Sequence, residues 1–195
     1  MPILFSDEPN ELVNTSRTAF LAAMLLDQQV PITWAFAGPQ RLVDRLGIEF
    51  TPAVIADLDE SALLAAAAEP PAIHRYHKTM ARRLQDLCRF IVDEWDGDTD
   101  ALLDAPNGRT LHRRLSELPG FGDEKVKITI AALAKRLDAP VKGWKSAAAP
   151  FGDTRPRSVA DIGSAADLVK VRAWKKAQRE AGLSKQDKTA KKPMT

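Results

Sequence analysis

Cysteine is almost absent from the sequence, which contains Cys88 and no other thiol. A single cysteine excludes an internal disulfide and excludes a four-cysteine iron–sulfur cluster. Long apolar runs are also missing, because no stretch approaches the roughly 20 residues that a membrane-spanning helix needs. The first residues, MPILFSDEPNE, lack the basic segment and apolar core of a secretory signal. We therefore expect a cytoplasmic protein that does not associate with a membrane.

Several signatures of common chemistry are missing as well. The sequence has no glycine-rich nucleotide loop, no P-loop and no Ser-His-Asp order. His74-x-x-His77 has the spacing of a metal-binding pair, but a third ligand is not apparent. The stretch HRYHK is better interpreted as a basic loop that leads into a helix. We therefore predict no metal site and no cofactor.

Charge of one sign does not dominate, because 28 Lys and Arg residues nearly balance 26 Asp and Glu residues. The distribution is uneven, since acidic residues concentrate early and basic residues dominate from Lys125 onward. A basic half of this kind suits a phosphate backbone. The alternative is a solvated helix followed by a tail without a partner. We interpret residues 1–180 as a single helical domain and residues 181–195 as a basic flexible tail.

Strand-like alternation is nearly absent, so the sequence predicts an all-α fold. Residues 16–30 are apolar on nearly every side until a polar end, which predicts a helix in the middle of the fold. Pro39, which follows Gly38, predicts the start of a short helix that ends at Gly47.

The second half of the chain shows clearer helical periodicity. Apolar residues step by three and four over about 79–95, and Cys88 falls on this stripe as a core residue. The segment 138–158 contains three prolines and has no sustained period, which predicts a long loop with at most a short helical piece. A last helix, about 164–180, begins with a Ser-x-x-Asp pair that resembles a capping box.

The stretch SELPGFGDEKVKITIAAL places two glycines between two runs with helical spacing. It predicts a helix, a tight turn over Pro119-Gly120-Phe121-Gly122, and a second helix. Glycine lets another backbone come close, and the first amides of a helix have no internal acceptors. A phosphate can therefore bind the turn, with Lys125 and Lys127 supplying charge. The alternative is a plain turn in which Gly120 ends the first helix and Asp123 caps the second.

These features together resemble the HhH-GPD superfamily of base-excision DNA glycosylases, over roughly Thr15 to Asp161. LPGFGDEKVKITIAAL is similar to the superfamily's helix-hairpin-helix, which here covers about 111–137. MLLDQQVP is similar to an early helix that ends in a Leu-Leu-x-x-Gln-type element facing the lesion. Within the superfamily, the chain resembles a small actinobacterial-type group and lacks the cysteines of an iron–sulfur cluster. The resemblance implies an all-α fold with two helical lobes around a cleft.

The resemblance also implies a partner and a reaction. The partner is double-stranded DNA that contains a lesion, and the protein is expected to be a nucleoid-associated monomer. Superfamily members flip a damaged or mismatched base out of the duplex and hydrolyse its N-glycosidic bond. An aspartate stabilises the positive character of the sugar as the base departs. Base-pocket contacts are implied for Gln28, Gln29 and Trp34, and DNA contacts for Pro119, Gly120, Phe121, Gly122, Lys125 and Lys127.

The sequence leaves the position of the catalytic aspartate open. Direct spacing from the hairpin ends near VKGWK, which has no carboxylate, so the chain carries an insertion or lacks the residue. Asp153 in GDTR reproduces the Asp-Thr pair of the superfamily. Asp161 in RSVADI follows an apolar segment that can partly desolvate it, and we favour Asp161 for this reason. The alternative is that Ser158 and Asp161 form a structural capping pair.

Bifunctional members of the superfamily carry a lysine two residues after the second hairpin glycine, where it forms a Schiff base with the sugar. This chain has Glu124 at that position. Lys125 comes one residue later, about 100° around a helix, so it points elsewhere. We therefore predict a monofunctional glycosylase without lyase activity. A non-catalytic DNA-binding protein and a helical protein-interaction domain are the alternative functions.

Overall fold

The structure is a computed structural model that describes residues 11–183. Within this range the chain forms eleven α-helices, one 3₁₀ turn and no β-strand, which confirms the all-α prediction. No helix in this range is long and apolar enough to span a bilayer. The helices are α1 (Glu11–Thr15), α2 (Arg17–Leu26), α3 (Ile32–Leu46), α4 (Pro52–Asp57), α5 (Glu60–Ala68), α6 (His77–Trp95), α7 (Thr99–Leu103), α8 (Gly108–Ser116), α9 (Asp123–Arg136), α10 (Trp144–Ala147) and α11 (Ala165–Glu180), and the 3₁₀ turn is Val159–Asp161.

Contacts between residues divide the described chain into two compact units. The N-terminal unit comprises residues 11–105 and Arg113–Gly122, and the C-terminal unit comprises Pro106–His112 and residues 123–183. The single domain and the cleft between lobes stay predictions. The predicted tail, 181–195, lies outside the described residues from residue 184 onward.

Helix α2 is the centre of the N-terminal unit, as its apolar sequence predicts. All of its side chains from Thr18 to Leu26 are buried. Ser16 caps the helix, because its side chain accepts a hydrogen bond from the amide of Ala19 at 3.2 Å. Helices α1, α3, α6 and α7 pack against it. The burial of α2 fixes the position of the polar residues that follow it.

Helix α3 is longer than the sequence predicts. The predicted start at Pro39 is wrong, because α3 begins at Ile32 and continues through Pro39. Gly38 has no Cβ to clash with the ring of Pro39, so one of the clashes that usually end a helix before a proline is absent. An ideal Cβ at Gly38 would lie 2.5 Å from Leu26 Cδ1, so α3 packs closely against α2 at this point. The predicted end at Gly47 is confirmed, with a left-handed φ of 62°.

Helix α6 packs its apolar stripe against α4 and α5. The predicted core position of Cys88 is confirmed, and burial raises the pKa of its thiol to about 12. A thiol with this pKa is not a nucleophile at neutral pH. Gln85 is buried on the same face, and its side-chain amide donates a hydrogen bond to the carbonyl of Leu58 at 2.7 Å. This bond satisfies a polar group inside the core.

Helix α9 is the central element of the C-terminal unit, where it packs against α10 and the 3₁₀ turn. The irregular segment 138–158 contains the single-turn helix α10 and no other helix, as predicted. Arg157, near its end, is fully buried with its guanidinium 5.2 Å from the ring centre of Trp174. Helix α11 begins after Ser164, whose hydroxyl accepts a hydrogen bond from the amide of Asp167 at 3.2 Å. The predicted capping pair is therefore confirmed.

Candidate functional site

The predicted hairpin turn follows α8 and precedes α9. Gly120 adopts a left-handed backbone with φ 81°, a conformation that side chains with a Cβ rarely take. The amide of Phe121 donates a hydrogen bond to the carbonyl of Leu118 at 3.1 Å. Phe121 and Leu118 are buried, Pro119 is half-buried, and Gly120 and Gly122 are exposed. The turn therefore anchors its apolar side chains inward and leaves both glycines at the surface.

The exposed glycines present two unused hydrogen-bond donors. Among residues 11–183, no acceptor is hydrogen-bonded to the amides of Gly120 and Gly122. A Cβ added at Gly122 would meet nothing within 4 Å, so the space above this residue is open. Exposed amides in a turn of this kind bind oxyanions such as phosphate. The geometry is compatible with the phosphate site that the sequence predicts.

The turn lies against the C-terminal end of α2 in the N-terminal unit. An ideal Cβ at Gly120 would lie 2.6 Å from Leu25 Cδ1. The carbonyl of Leu25 in turn accepts a hydrogen bond from the side-chain amide of Gln28 at 2.9 Å. Two features that are distant in the sequence, the hairpin turn and the predicted base-pocket residue Gln28, are therefore close neighbours.

Gly120→Ala and Gly122→Ala form a matched pair with different expected stabilities. Alanine at Gly120 must adopt a left-handed backbone and displace the end of Leu25, so we expect the free energy of unfolding to fall by about 1–2 kcal/mol. Alanine at Gly122 enters open space, and we expect a change below about 0.5 kcal/mol. Urea denaturation of both variants measures the difference. Equal losses in the two variants would contradict this account of the turn.

At the start of α9, Asp123 neutralises part of the positive charge that the sequence analysis assigns to Lys125 and Lys127. Lys127 Nζ forms an ion pair with Asp123 Oδ2 at 2.6 Å, and His112 Nε2 lies 3.3 Å from Asp123 Oδ1. The hydrogen bond from Lys127 lowers the pKa of Asp123, although desolvation acts in the opposite direction. Lys125 is half-buried. A phosphate at this helix start would compete with Asp123 for Lys127.

The predicted base-pocket residues Gln28 and Gln29 lie in the turn between α2 and α3. The backbone carbonyl of Gln28 accepts a hydrogen bond from His74 Nε2 at 2.8 Å. Gln29 is exposed and has φ 56°, which is unusual for a residue with a side chain. Trp34 lies in the first turn of α3, half-buried, and its indole N–H donates a hydrogen bond to the carbonyl of Ala72.

Asp161, the acid that the sequence favours, has partners on both carboxylate oxygens. Its Oδ1 pairs with Lys135 Nζ at 2.7 Å, and its Oδ2 accepts hydrogen bonds from the amides of Arg157 and Ser158, each at 3.0 Å. Its side chain is 9% exposed. Ser158 and Asp161 form a capping box on the 3₁₀ turn, which is the structural alternative that the sequence left open. A catalytic role for Asp161 stays a prediction.

Asp153 is the more accessible of the two candidate acids, with 37% of its side chain exposed. Arg157 Nε donates hydrogen bonds to Asp153 Oδ2 at 3.0 Å and to Oδ1 at 3.2 Å. Desolvation acts to raise the pKa of Asp153, but the hydrogen bonds and charges of Arg157 and Arg155 outweigh it and hold the pKa below its ordinary value. An open depression of about 520 Å³ adjoins this carboxylate and is lined by Lys145, Ala149, Pro150, Gly152, Asp153, Thr154 and Arg155.

Lys135 connects the two candidate acids, and sequence reasoning missed it. Its ammonium group on α9 donates hydrogen bonds to the carbonyls of Phe151 and Asp153 at 2.7 Å and 2.6 Å, in addition to its pair with Asp161. The signal that could have identified it is helical spacing, which places Lys135 on the same face of α9 as the apolar Ile128 and Ala131. Asp153 and Asp161 therefore belong to one segment that Lys135 ties to α9.

A metal site is not visible in the described part of the chain. Residues 11–183 contain no group of three or more His, Cys, Asp or Glu side chains placed to hold an ion. Of the His-x-x-His pair, His74 is buried and hydrogen-bonded to the Gln28 carbonyl, whereas His77 is the first residue of α6.

Comparison with known proteins gives one family. The family model described as HhH-GPD superfamily base excision DNA repair protein matches residues 22–192. No curated protein and no solved structure matches the chain. The family match spans most of the chain, including the α2 end, the hairpin turn and both candidate acids. The chain belongs to the HhH-GPD superfamily of base excision DNA repair proteins.

Proposed function

We propose that this protein is a DNA glycosylase that flips a damaged or mismatched base out of double-stranded DNA and hydrolyses its N-glycosidic bond. The family match supports DNA repair as the process. The observation that carries the proposal is the turn at Gly120 and Gly122, whose exposed amides have no acceptor among residues 11–183. Such amides suit a DNA phosphate, and phosphate contacts hold the duplex without reading its bases.

The DNA-binding residues of the proposal are those of the hairpin. The amides of Gly120 and Gly122 bind phosphate, Pro119 and Phe121 shape the turn, and Lys125 and Lys127 add positive charge. Lys127 releases Asp123 when phosphate takes its place, so binding should weaken as salt concentration rises. Gln28, Gln29 and Trp34 contact the extruded base, since side-chain amides and an aromatic ring suit a flipped nucleobase.

We propose Asp153, in preference to Asp161, as the catalytic carboxylate. A carboxylate that assists hydrolysis must approach the sugar and a water molecule, and Asp153 faces an open depression. Both carboxylates accept hydrogen bonds, but the side chain of Asp161 is 9% exposed, whereas that of Asp153 is 37% exposed. In the reaction, the bond between the anomeric carbon and the base breaks with its electron pair leaving on the base. Water then bonds to the anomeric carbon, and its proton passes to the carboxylate.

The proposed enzyme is monofunctional because Glu124 occupies the position of the lyase lysine. On a panel of duplexes, each with one lesion, we expect the wild type to form alkali-sensitive abasic sites on at least one substrate. Borohydride added during that reaction should trap no covalent adduct, since no amine forms a Schiff base with the sugar. An adduct that disappears in Lys125→Ala would contradict the monofunctional assignment, and absence of base release from every duplex would contradict the glycosylase assignment.

A second candidate function is DNA binding without catalysis. The occupied carboxylate of Asp161 is the observation that favours it. A binding protein of this kind would show salt-sensitive affinity for DNA and no abasic sites on any member of the panel. The same set of duplexes therefore separates the two functions.

A further inference from the structure

His74 lies in the segment between α5 and α6 and is 1% exposed. Its Nε2 is 2.8 Å from the backbone carbonyl of Gln28, and its Nδ1 is 3.0 Å from the backbone amide of Tyr76. These contacts link the turn between α2 and α3 to the start of α6 through one imidazole. In the sequence, Gln28 lies 46 residues from His74, whereas Tyr76 lies two residues from it.

The two partners determine the tautomer of the ring. A backbone amide only donates, so Nδ1 of His74 must carry a lone pair to accept from Tyr76. A carbonyl only accepts, so Nε2 must carry the proton and donate it to Gln28. His74 therefore directs its Nε2 proton at the Gln28 carbonyl.

The segment that carries His74 is itself held in place by α3. The carbonyl of Ala72 accepts hydrogen bonds from Trp34 Nε1 and from Arg41 Nη1. Arg45 Nη2 donates to the carbonyl of Pro71 at 2.8 Å. His74 therefore projects from a fixed backbone, and a hydrogen bond from a fixed donor can restrain its acceptor.

The restrained carbonyl belongs to the peptide group that joins Gln28 to Gln29. Holding this oxygen fixes the orientation of that peptide plane, and therefore both ψ of Gln28 and φ of Gln29. Gln29 has the left-handed φ of 56°, which a non-glycine residue adopts only where its surroundings impose it. The hydrogen bond from His74 is one such constraint, and it acts directly on the strained residue.

We infer that His74 is a positioning residue, which holds the Gln28–Gln29 turn in the conformation that receives the extruded base. The inference rests on the proposed function, because it assigns His74 to the base pocket of that function. His74 itself does not touch the base. It acts through the Gln28 carbonyl, and the side chains of Gln28 and Gln29 make the contacts.

Two substitutions separate the two hydrogen bonds of the ring. In His74→Asn, the side-chain oxygen can still accept from the amide of Tyr76, two residues on, as asparagine does in turns, but the side chain is too short to reach Gln28. In His74→Gln, the longer side chain carries an N–H donor to the place of Nε2. Loss of function in His74→Asn with rescue in His74→Gln therefore isolates the bond to Gln28.

The first measurement is hydrogen–deuterium exchange of the free protein. We expect faster exchange in peptides that cover residues 27–34 for His74→Asn, and wild-type exchange for His74→Gln. The second is the ratio of affinities for a duplex with a tetrahydrofuran abasic-site analogue and for the same undamaged duplex. We expect this ratio to fall about fivefold to tenfold in His74→Asn, the factor that one buried hydrogen bond is worth, and to recover in His74→Gln. Affinity for the undamaged duplex should not change.

Each other outcome contradicts the inference. Wild-type exchange and wild-type preference in His74→Asn would show that the bond to Gln28 does not matter, and equal losses in both variants would show a general packing role. If His74→Asn does not fold, His74→Gln decides alone: a retained preference supports the inference, and a lost preference in a stable protein overturns it. If the wild-type protein shows no salt-sensitive binding of DNA, the proposed function is contradicted, and this result is known before any variant is compared.

Discussion

Asp153→Asn is expected to slow base release by about 10²- to 10⁴-fold, the range that a carboxylate contributes to acid–base and electrostatic catalysis. The carboxamide has the same shape, but it carries no negative charge to stabilise the sugar as the base leaves. Single-turnover rates on the most reactive duplex of the panel measure the effect. Affinity for the duplex should stay near the wild-type value, because Asp153 is not one of the hairpin residues.

Asp138→Asn is the matched control for this substitution. Asp138 is an exposed aspartate of the C-terminal unit with φ 50°, a conformation that asparagine also tolerates. Asp138→Asn should release the base at the wild-type rate. Melting temperatures of both variants are needed as well, since Asp153→Asn removes a carboxylate that pairs with the buried Arg157. A wild-type rate in Asp153→Asn, with a lost rate in a folded Asp161→Asn, would move the catalytic role to Asp161.

The pH dependence of the same rate provides a second check on Asp153. Its pKa is held below the ordinary value of about 3.9, so the group is protonated only in more acidic solution. Asp153 therefore stays ionised from pH 8 down to about pH 5, and it should contribute no loss of rate in that window. A fall in rate across this window that is absent in Asp153→Asn would contradict the depressed pKa.

Asp161→Ala is expected to lower the free energy of unfolding by about 3–5 kcal/mol, the usual result of removing one partner of a buried ion pair. The ammonium group of Lys135, whose side chain is 17% exposed, loses its counter-ion, and the amides of Arg157 and Ser158 lose their shared acceptor. Urea denaturation provides the measurement. Lost base release in this variant is informative only at temperatures where the protein is folded.

Asp167→Ala is the matched control for Asp161→Ala. Asp167 belongs to a similar Ser-x-x-Asp pair at the start of α11, but it is more exposed and pairs with the exposed Lys170. Its removal should cost about 1 kcal/mol, as loss of a helix cap usually does. A loss below about 1 kcal/mol for Asp161→Ala would show that the pair with Lys135 contributes little, and it would reopen a catalytic role for Asp161.

Local features of the fold were predictable from the sequence. The periodicity of α6 and the αL glycine at the end of α3 depend on neighbours within a few residues, so the sequence reports them directly. The start of α3 was not predicted, and the longer helix comes with close packing of Gly38 against Leu26, a tertiary contact that the sequence does not show. Secondary structure therefore followed the sequence except where tertiary contacts decided it.

The candidate site also combines local features that were predictable with distant contacts that were not. The turn at Gly120 was predictable, because a left-handed backbone is a local requirement that glycine meets. The environments of the two aspartates were not, since Lys135 reaches Asp161 across 26 residues of chain. The bond from His74 to Gln28 spans 46 residues and has no sequence signature. The burial of Asp161 beside Lys135 follows from such a distant contact, and it required the structure.

The three hydrogen bonds of Lys135 also bear on the catalytic role proposed for Asp153. The ammonium group holds the carbonyls of Phe151 and Asp153 and the carboxylate of Asp161, so the proline-rich stretch around Asp153 is fastened to a rigid helix. We therefore expect this stretch to be a fixed wall of the depression and not a lid. If Asp153 acts as proposed, a nucleotide would enter the depression without a gate having to open, and selectivity at this wall would come from its static shape.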